Sequence, residues 1–171
     1  MKIVKPNQNH KEDFLKYVLE AYLANEKEIP LNYKGNYELW LKNIKDEENG
    51  INLKENRVPA TIYFVIDDDK IIGTLSIRHN LKIPCVYNFV GHIGYNVRVN
   101  ERKKGYGKEI LKLGLQECKK MQINEVLITC LESNVASKKI ILSQGGIFQN
   151  KVYFEEEDEN ICRYVIRLWY N

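Results

Sequence analysis

Arg102-Lys103-Lys104-Gly105-Tyr106-Gly107 decides how this chain is read. It follows His92-Ile93-Gly94-Tyr95-Asn96-Val97, an apolar-alternating run that reads as a strand. It opens a helical pattern carrying Ile110, Leu111, Leu113, Gly114, Leu115 and Cys118, which extends to about Met121. A glycine-containing turn between a strand and a helix start leaves backbone N–H groups unpaired and pointing one way. That is a seat for an anion, most naturally a phosphate or pyrophosphate. Gly105 and Gly107 let the backbone approach such a ligand closely, and Arg102, Lys103, Lys104 and Lys108 add positive charge.

Outward from the turn, Glu125 to Leu131 reads as a buried strand. Ser133 or Asn134 caps a helix from Val135 to Gln144 that Gly145-Gly146 ends, and strands follow at Ile147 to Phe154 and Ile161 to Trp169. The acidic run Glu155 to Glu159 between them reads as a solvated hairpin loop. Upstream, Lys2 to Lys5 is a short strand ended by Pro6. Asn9 caps a helix through Tyr22, and a second helix spans Tyr37 to Asp46, with a polar loop at 23–36 between them. Ala60 to Ile66 and Ile71 to Arg78 form a hairpin around Asp67-Asp68-Asp69-Lys70, a solvated tip rather than a cation loop. Tyr87 to Val99 is expected as one long strand broken by Gly91 and Gly94, while residues 51–57 stay ambiguous. The order β-α-α-β-β-β-α-β-α-β-β implies an α/β (α+β) fold in which one mixed sheet is flanked by helices.

The 171 residues suit one domain, and 44% hydrophobic with 29% charged residues describes a globular chain. A net charge of +3 is too small and too local for a dedicated nucleic-acid binder. Cys85, Cys118, Cys130 and Cys162 contain no C-x-x-C pair, so no metal site is expected and the thiols read as core or bystander groups. The start Met1-Lys2-Ile3-Val4-Lys5-Pro6 lacks the apolar run of a signal peptide, and no stretch approaches the ~18 apolar residues of a membrane span. A cytoplasmic protein with no membrane or nucleic-acid partner is expected.

The residues of the central turn fit the R/Q-x-x-G-x-G/A signature of the GCN5-related N-acetyltransferases (GNAT). Gly91-His92-Ile93-Gly94-Tyr95-Asn96-Val97-Arg98 before it, and Leu127-Ile128-Thr129-Cys130, Asn134-Val135-Ala136-Ser137 and Gly145-Gly146 after it, extend the likeness. The chain resembles bacterial members without an assigned substrate, and the likeness weakens before about residue 58. The resemblance implies a mostly antiparallel sheet of about seven strands with about four helices, over residues 1–171 as a single N-acetyltransferase domain. It implies acetyl-CoA as donor and a small-molecule or peptide amine as acceptor, joined by direct attack in a ternary complex, and leaves a homodimer open. The coenzyme A pyrophosphate would sit on the amides from Arg102 to Lys108. The pantetheine arm would lie along Tyr95, Asn96 and Val97, in a slot toward the strand Leu127 to Leu131, and Asn134 would contact it.

Many family members place a Tyr seven residues after that Asn as acid to the leaving thiolate, and here the position is Ile141. Tyr153 is the replacement candidate, against a Tyr packed on a sheet face. His92 is the candidate base by its chemistry, although strict alternation turns it away from Tyr95; the competing reading is a structural histidine. Glu132 is placed to bind the substrate ammonium, against a plain surface carboxylate. His79 reads as structural and Cys130 as packing. Tyr22, Tyr33, Tyr37 and Trp40 read individually as core; with Glu20, Glu26 and Glu28 they could wall a pocket for a cationic amine. Two alternatives keep the fold: a transferase for a protein amine or another acyl-CoA, and a coenzyme A-binding protein without catalysis.

Overall fold

The computed structural model describes residues 1–26 and 30–168; Glu28 and Trp169, named above, lie outside the described residues. The strands and helices follow the expected order: β1 Lys2–Val4, α1 Lys11–Leu23, α2 Tyr37–Glu48, β2 Ala60–Asp67, β3 Lys70–Arg78, β4 Ile93–Val97, α3 Tyr106–Lys120, β5 Glu125–Leu131, α4 Val135–Ser143, β6 Ile147–Phe154 and β7 Glu159–Arg167. Side-chain oxygens cap α2 and α4. Asn134 Oδ1 accepts from the Ser137 amide at 3.0 Å, and Asn36 Oδ1 from the Leu39 amide at 2.8 Å. The cap before α1 is Asn7 rather than Asn9: it accepts from the Asn9 amide and starts a 3-10 turn, Gln8–His10, that runs into α1. The β2–β3 hairpin turns on Asp68 and Asp69, at φ 45° and 60°, values that a two-residue hairpin turn demands and Asp tolerates. β7 begins earlier than expected, inside the acidic run, because Asp158 at φ 51° already reverses the chain.

The strands form two sheets, not one: a four-stranded β1-β2-β3-β4 and a three-stranded β5-β7-β6, with every pairing antiparallel. Their facing strands, β4 and β5, meet through the isolated bridge Gly91–Ile128 and the bond from the His92 amide to Leu127 O at 2.7 Å. The long strand expected from Tyr87 does not form. Val86–Val90 is a single π-type helical turn closed by the Gly91 amide on Val86 O at 2.9 Å. Val86 is buried, and Phe89 and Val90 are covered in part by the second sheet instead of by strand pairing. Phe89 packs on Phe154 at 4.9 Å with the rings tilted, and Thr129 Oγ1 donates to the carbonyls of Phe89 and Val90.

One core lies under α3 and α4 and joins both sheets, through Leu75, Ile77 and Ile93 of the first and Val126, Ile128 and Tyr164 of the second. A second, aromatic core packs α1 and α2 on the opposite face of the first sheet, where Phe14 lies against Trp40 at 4.7 Å and Phe64 at 5.1 Å, and those two rings meet each other at 5.8 Å. Cys118, Cys130 and Cys162 are buried and unbonded to one another, and burial pushes the Cys118 and Cys130 thiols up to about 12 and about 11. Among the described residues no helix is long and apolar enough to cross a membrane.

Candidate active site

Past the bridge at Gly91 the sheets part, so the edge of β4 toward β5 stands open along Ile93 to Val97. Alternation sends Ile93, Tyr95 and Val97 into the α3/α4 core, and Gly94 and Asn96 to the α1/α2 face. The Tyr95 hydroxyl lies 3.1 Å from Ser137 Oγ, in the first turn of α4. Ile141, one turn further along the same helix face, is fully buried. Burial raises the Tyr95 pKa, so the phenol is a neutral proton donor at working pH. Asn96 turns the other way, its Oδ1 accepting from the Tyr17 hydroxyl at 2.9 Å.

β4 leads through the 3-10 turn Val99–Glu101 into the turn before α3, where Lys103 and Gly105 have φ of 62° and 87°. The first-turn amides of α3, on Tyr106 and Gly107, have no partner within the helix. A Cβ on Gly105 would meet nothing within 4 Å, so open space stands over the turn and a phosphate has room there. Gly107 has a different task. A Cβ there would lie 2.8 Å from Ile140 Cδ1, so this glycine sets the approach of α3 to α4. The expected charge is redistributed as well. Arg102 pairs doubly with Glu26, at 2.8 and 2.7 Å, and Lys104 pairs with Glu101 at 2.8 Å. Lys103 and Lys108 are exposed and have no ion pair among the described residues, so they carry the free positive charge.

Sequence reasoning missed the residues that hold this turn. Arg98, at 2% exposure, donates to both oxygens of Glu20 at 2.7 Å each, to Asp13 at 2.8 Å and to Ile71 O at 3.0 Å. Glu101, at 7% exposure, lies between Lys70 at 2.5 Å and Lys104. The available signal was Asp13, Tyr17 and Glu20 sharing the inward face of α1. Glu20 and Glu26 therefore do not wall a pocket for a cationic amine: arginines of the β4–α3 connection occupy both. Tyr33, Tyr37 and Trp40 are ring contacts of Phe14, and Tyr22 is exposed.

The two catalytic candidates need correction. His92 Nδ1 accepts from the Leu127 amide at 3.0 Å, and burial, with Arg78 nearby, pushes its pKa down to about 4. A neutral ring whose acceptor nitrogen is already used clips β4 to β5 and is not placed to take a proton from an amine. Tyr153 is 55% exposed on β6, separated from β5 by β7, and its hydroxyl donates to Asp158. It faces the hairpin loop and not the opening between the sheets. Glu132 is paired with Lys151 and accepts from Asn160 Nδ2 at 3.0 Å; Lys151 first, then Asn160, holds its carboxyl below the usual range. His79 Nε2 is 2.9 Å from Thr61 Oγ1, a structural contact.

On the α2 side of the first sheet lies a cavity of about 550 Å³ with Ala60, Ile62, Ser76 and Arg78 as its floor and Trp40 in its wall. Its floor residue Ser76 pairs with Gly94 of β4, where a Cβ would lie 2.9 Å from Ser76 Oγ.

Solved structures share this architecture. The microcin C7 self-immunity acetyltransferase MccE, in complex with acetyl-CoA and AMP, is 18% identical with a TM-score of 0.68, over 97% of this chain and 91% of that one. RimJ of Mycobacterium smegmatis, in complex with CoA-disulfide, is 13% identical with a TM-score of 0.73, over 96% and 80%. The ribosomal-protein-S5-alanine acetyltransferase of Vibrio fischeri is 15% identical with a TM-score of 0.67, over 96% and 91%. At such identities the likeness speaks for the fold alone. No curated protein sequence matches the chain. The model of the acetyltransferase (GNAT) family matches residues 19–145, from the second half of α1 through α4, and on that match the chain belongs to this family.

Proposed function

We propose that residues 1–171 act as one N-acetyltransferase domain that moves an acetyl group from acetyl-CoA to a primary amine by direct attack in a ternary complex. One observation carries this reading: the open edge of β4 runs directly into an anion turn with free space above it. Family membership and neighbours named as complexes with acetyl-CoA and coenzyme A support the donor. Acetyl-CoA supplies the thioester: the amine nitrogen bonds to its carbonyl carbon, the C–S bond breaks, and the thiol leaves with one proton. The amides from Arg102 to Lys108, with the Lys103 and Lys108 ammonium groups, receive the diphosphate. Tyr95 and Val97 offer backbone hydrogen bonds to the pantetheine arm, with Asn96 between them turned to β3 by its own backbone, and an amide on this edge faces the developing oxyanion. Asn134 fixes the first turn of α4 beside the arm. The Tyr95 phenol, held by Ser137 one turn from Ile141, protonates the departing sulfur, and the amine proton leaves to water in the open cavity.

Calorimetry with acetyl-CoA tests this reading. Gly105→Asn keeps a residue that tolerates a left-handed φ and puts a side chain into the space over the turn. The wild type binds, and the variant loses roughly tenfold or more in affinity, the equivalent of ~1.4 kcal/mol, with little change in melting temperature. Affinity that survives the substitution intact would show that the turn does not hold the diphosphate.

A further inference from the structure

The cavity beneath α2 has a surplus of positive charge. Arg78 lies on its floor, Arg57, Lys34 and Lys54 on its rim and Lys42 on its α2 wall, against the carboxylates of Asp46 and Glu47. Glu47 is bonded to Arg57 by a long contact of 3.5 Å. Lys34, Lys42 and Lys54 have no ion pair among the described residues. Arg78 is half-buried without a carboxylate partner; the one hydrogen bond of its side chain among the described residues runs from Nη1 to Gly91 O at 3.3 Å. Burial, and then the positive Arg57 beside it, hold its pKa down to about 10, the condition of a cation lacking its counter-charge.

Its position gives this charge a use. Arg78 and Ser76 share a sheet face with Gly94 of β4, and both Arg78 Nη atoms lie 3.6 Å from where a Gly94 Cβ would stand. The bare backbone of Gly94 lets the guanidinium rest against the strand, one residue before Tyr95. From there to the open edge of β4 is about one strand spacing, ~5 Å.

We infer that the acceptor is a small amine carrying an anionic group, a carboxylate or a phosphate, that Arg78 receives on the cavity floor with Arg57 at the rim. The amine, a few bonds away, then points past Gly94 toward the thioester. A guanidinium suits either oxyanion through two parallel N–H donors. The assignment rests on the acetyltransferase reading above and names its substrate class.

Matched amines test it, with acetyl transfer followed by release of the coenzyme A thiol: glycine and leucine against glycinamide and leucinamide, and O-phosphoethanolamine against ethanolamine. The anionic member of at least one arm is favoured roughly tenfold or more in kcat/KM, and the arm that responds tells carboxylate from phosphate. Arg78→Gln and Arg57→Gln bring that ratio toward one, and Arg78→Lys restores part of it. Ratios near one throughout, or a ratio indifferent to both glutamine variants, overturn the inference. If no amine of the set is acetylated, phosphate and acetate are titrated into protein saturated with coenzyme A, which occupies the turn before α3. A rise in melting temperature that Arg78→Gln abolishes supports the anion site, and no rise overturns it. A protein that fails to bind acetyl-CoA at all sinks the acetyltransferase reading instead.

Discussion

Gly91→Ala and Gly105→Ala form a matched pair that weighs the junction between the two sheets. Both glycines have positive φ, 71° and 87°; Gly105, with ψ −8°, is ordinary left-handed and its substitution costs ~1–2 kcal/mol, while Gly91, with ψ −172°, lies in a region kept almost entirely for glycine and costs at least as much. They differ further in what the new methyl meets. At Gly105 nothing lies within 4 Å, whereas at Gly91 the Cβ would stand 2.6 Å from Leu127 O and 3.2 Å from its carbonyl carbon. Those atoms are backbone of β5 and cannot rotate away, so the bridge must open, at a further ~1–3 kcal/mol. Gly91→Ala is thus expected to be about 2 kcal/mol less stable than Gly105→Ala, a difference of ~4–8 °C in melting temperature for a chain of this size. Urea denaturation followed by circular dichroism gives both values. Equal losses would mean that β4 and β5 are not in contact at Gly91, and the opening would then lack its closed end.

Tyr95→Phe removes the proposed acid and should lower kcat roughly 10²-fold. The fall in kcat as pH rises through the raised phenol pKa, above about 10, should vanish in the same variant; an unchanged kcat would clear Tyr95 of the role. Arg98→Met strands Asp13 and Glu20 and is expected to cost ~3–5 kcal/mol in denaturant unfolding, part of which returns on adding Asp13→Asn and Glu20→Gln. A triple variant as unstable as the single one would refute that account. His92 is held at about 4 when folded, below its ordinary 6.5, so on acidification the unfolded chain takes up the proton first. Its contribution is complete above pH 6.5 and is lost progressively down to about 4. His10 and His79 are lowered too, so His92→Gln should flatten the decline over that window without abolishing it.

What the sequence made legible was local. The β5–α4–Gly145 block read correctly because its signals are neighbours in the chain: a β-branched run, an Asn cap, a left-handed glycine at the helix end. The turn before α3 was visible for the same reason. The misreadings concern partners far apart. Val86 to Val90 looks like a strand until Thr129 and Phe154 are known to cover it. Arg98 looks like a surface residue until α1 supplies two carboxylates from 78 and 85 positions away. Tyr95 and Ser137, 42 positions apart, meet only because the sheets diverge. The basic cavity draws its lining from Leu31 to Arg78, across a segment whose pattern was ambiguous.

The division of the strands also bears on how the chain assembles. Each sheet closes within its own half, the first within residues 2–97, where β1 reaches β2 across α1 and α2, and the second within residues 125–167. The β2–β3 and β6–β7 hairpins are local, so each half can collect hydrogen bonds before the two meet. The long-range event left to the sheets is the docking of two finished surfaces onto α3, with Gly91 and Ile128 as the backbone seam. The cleft proposed to receive the donor would then be the gap that this late docking never closes.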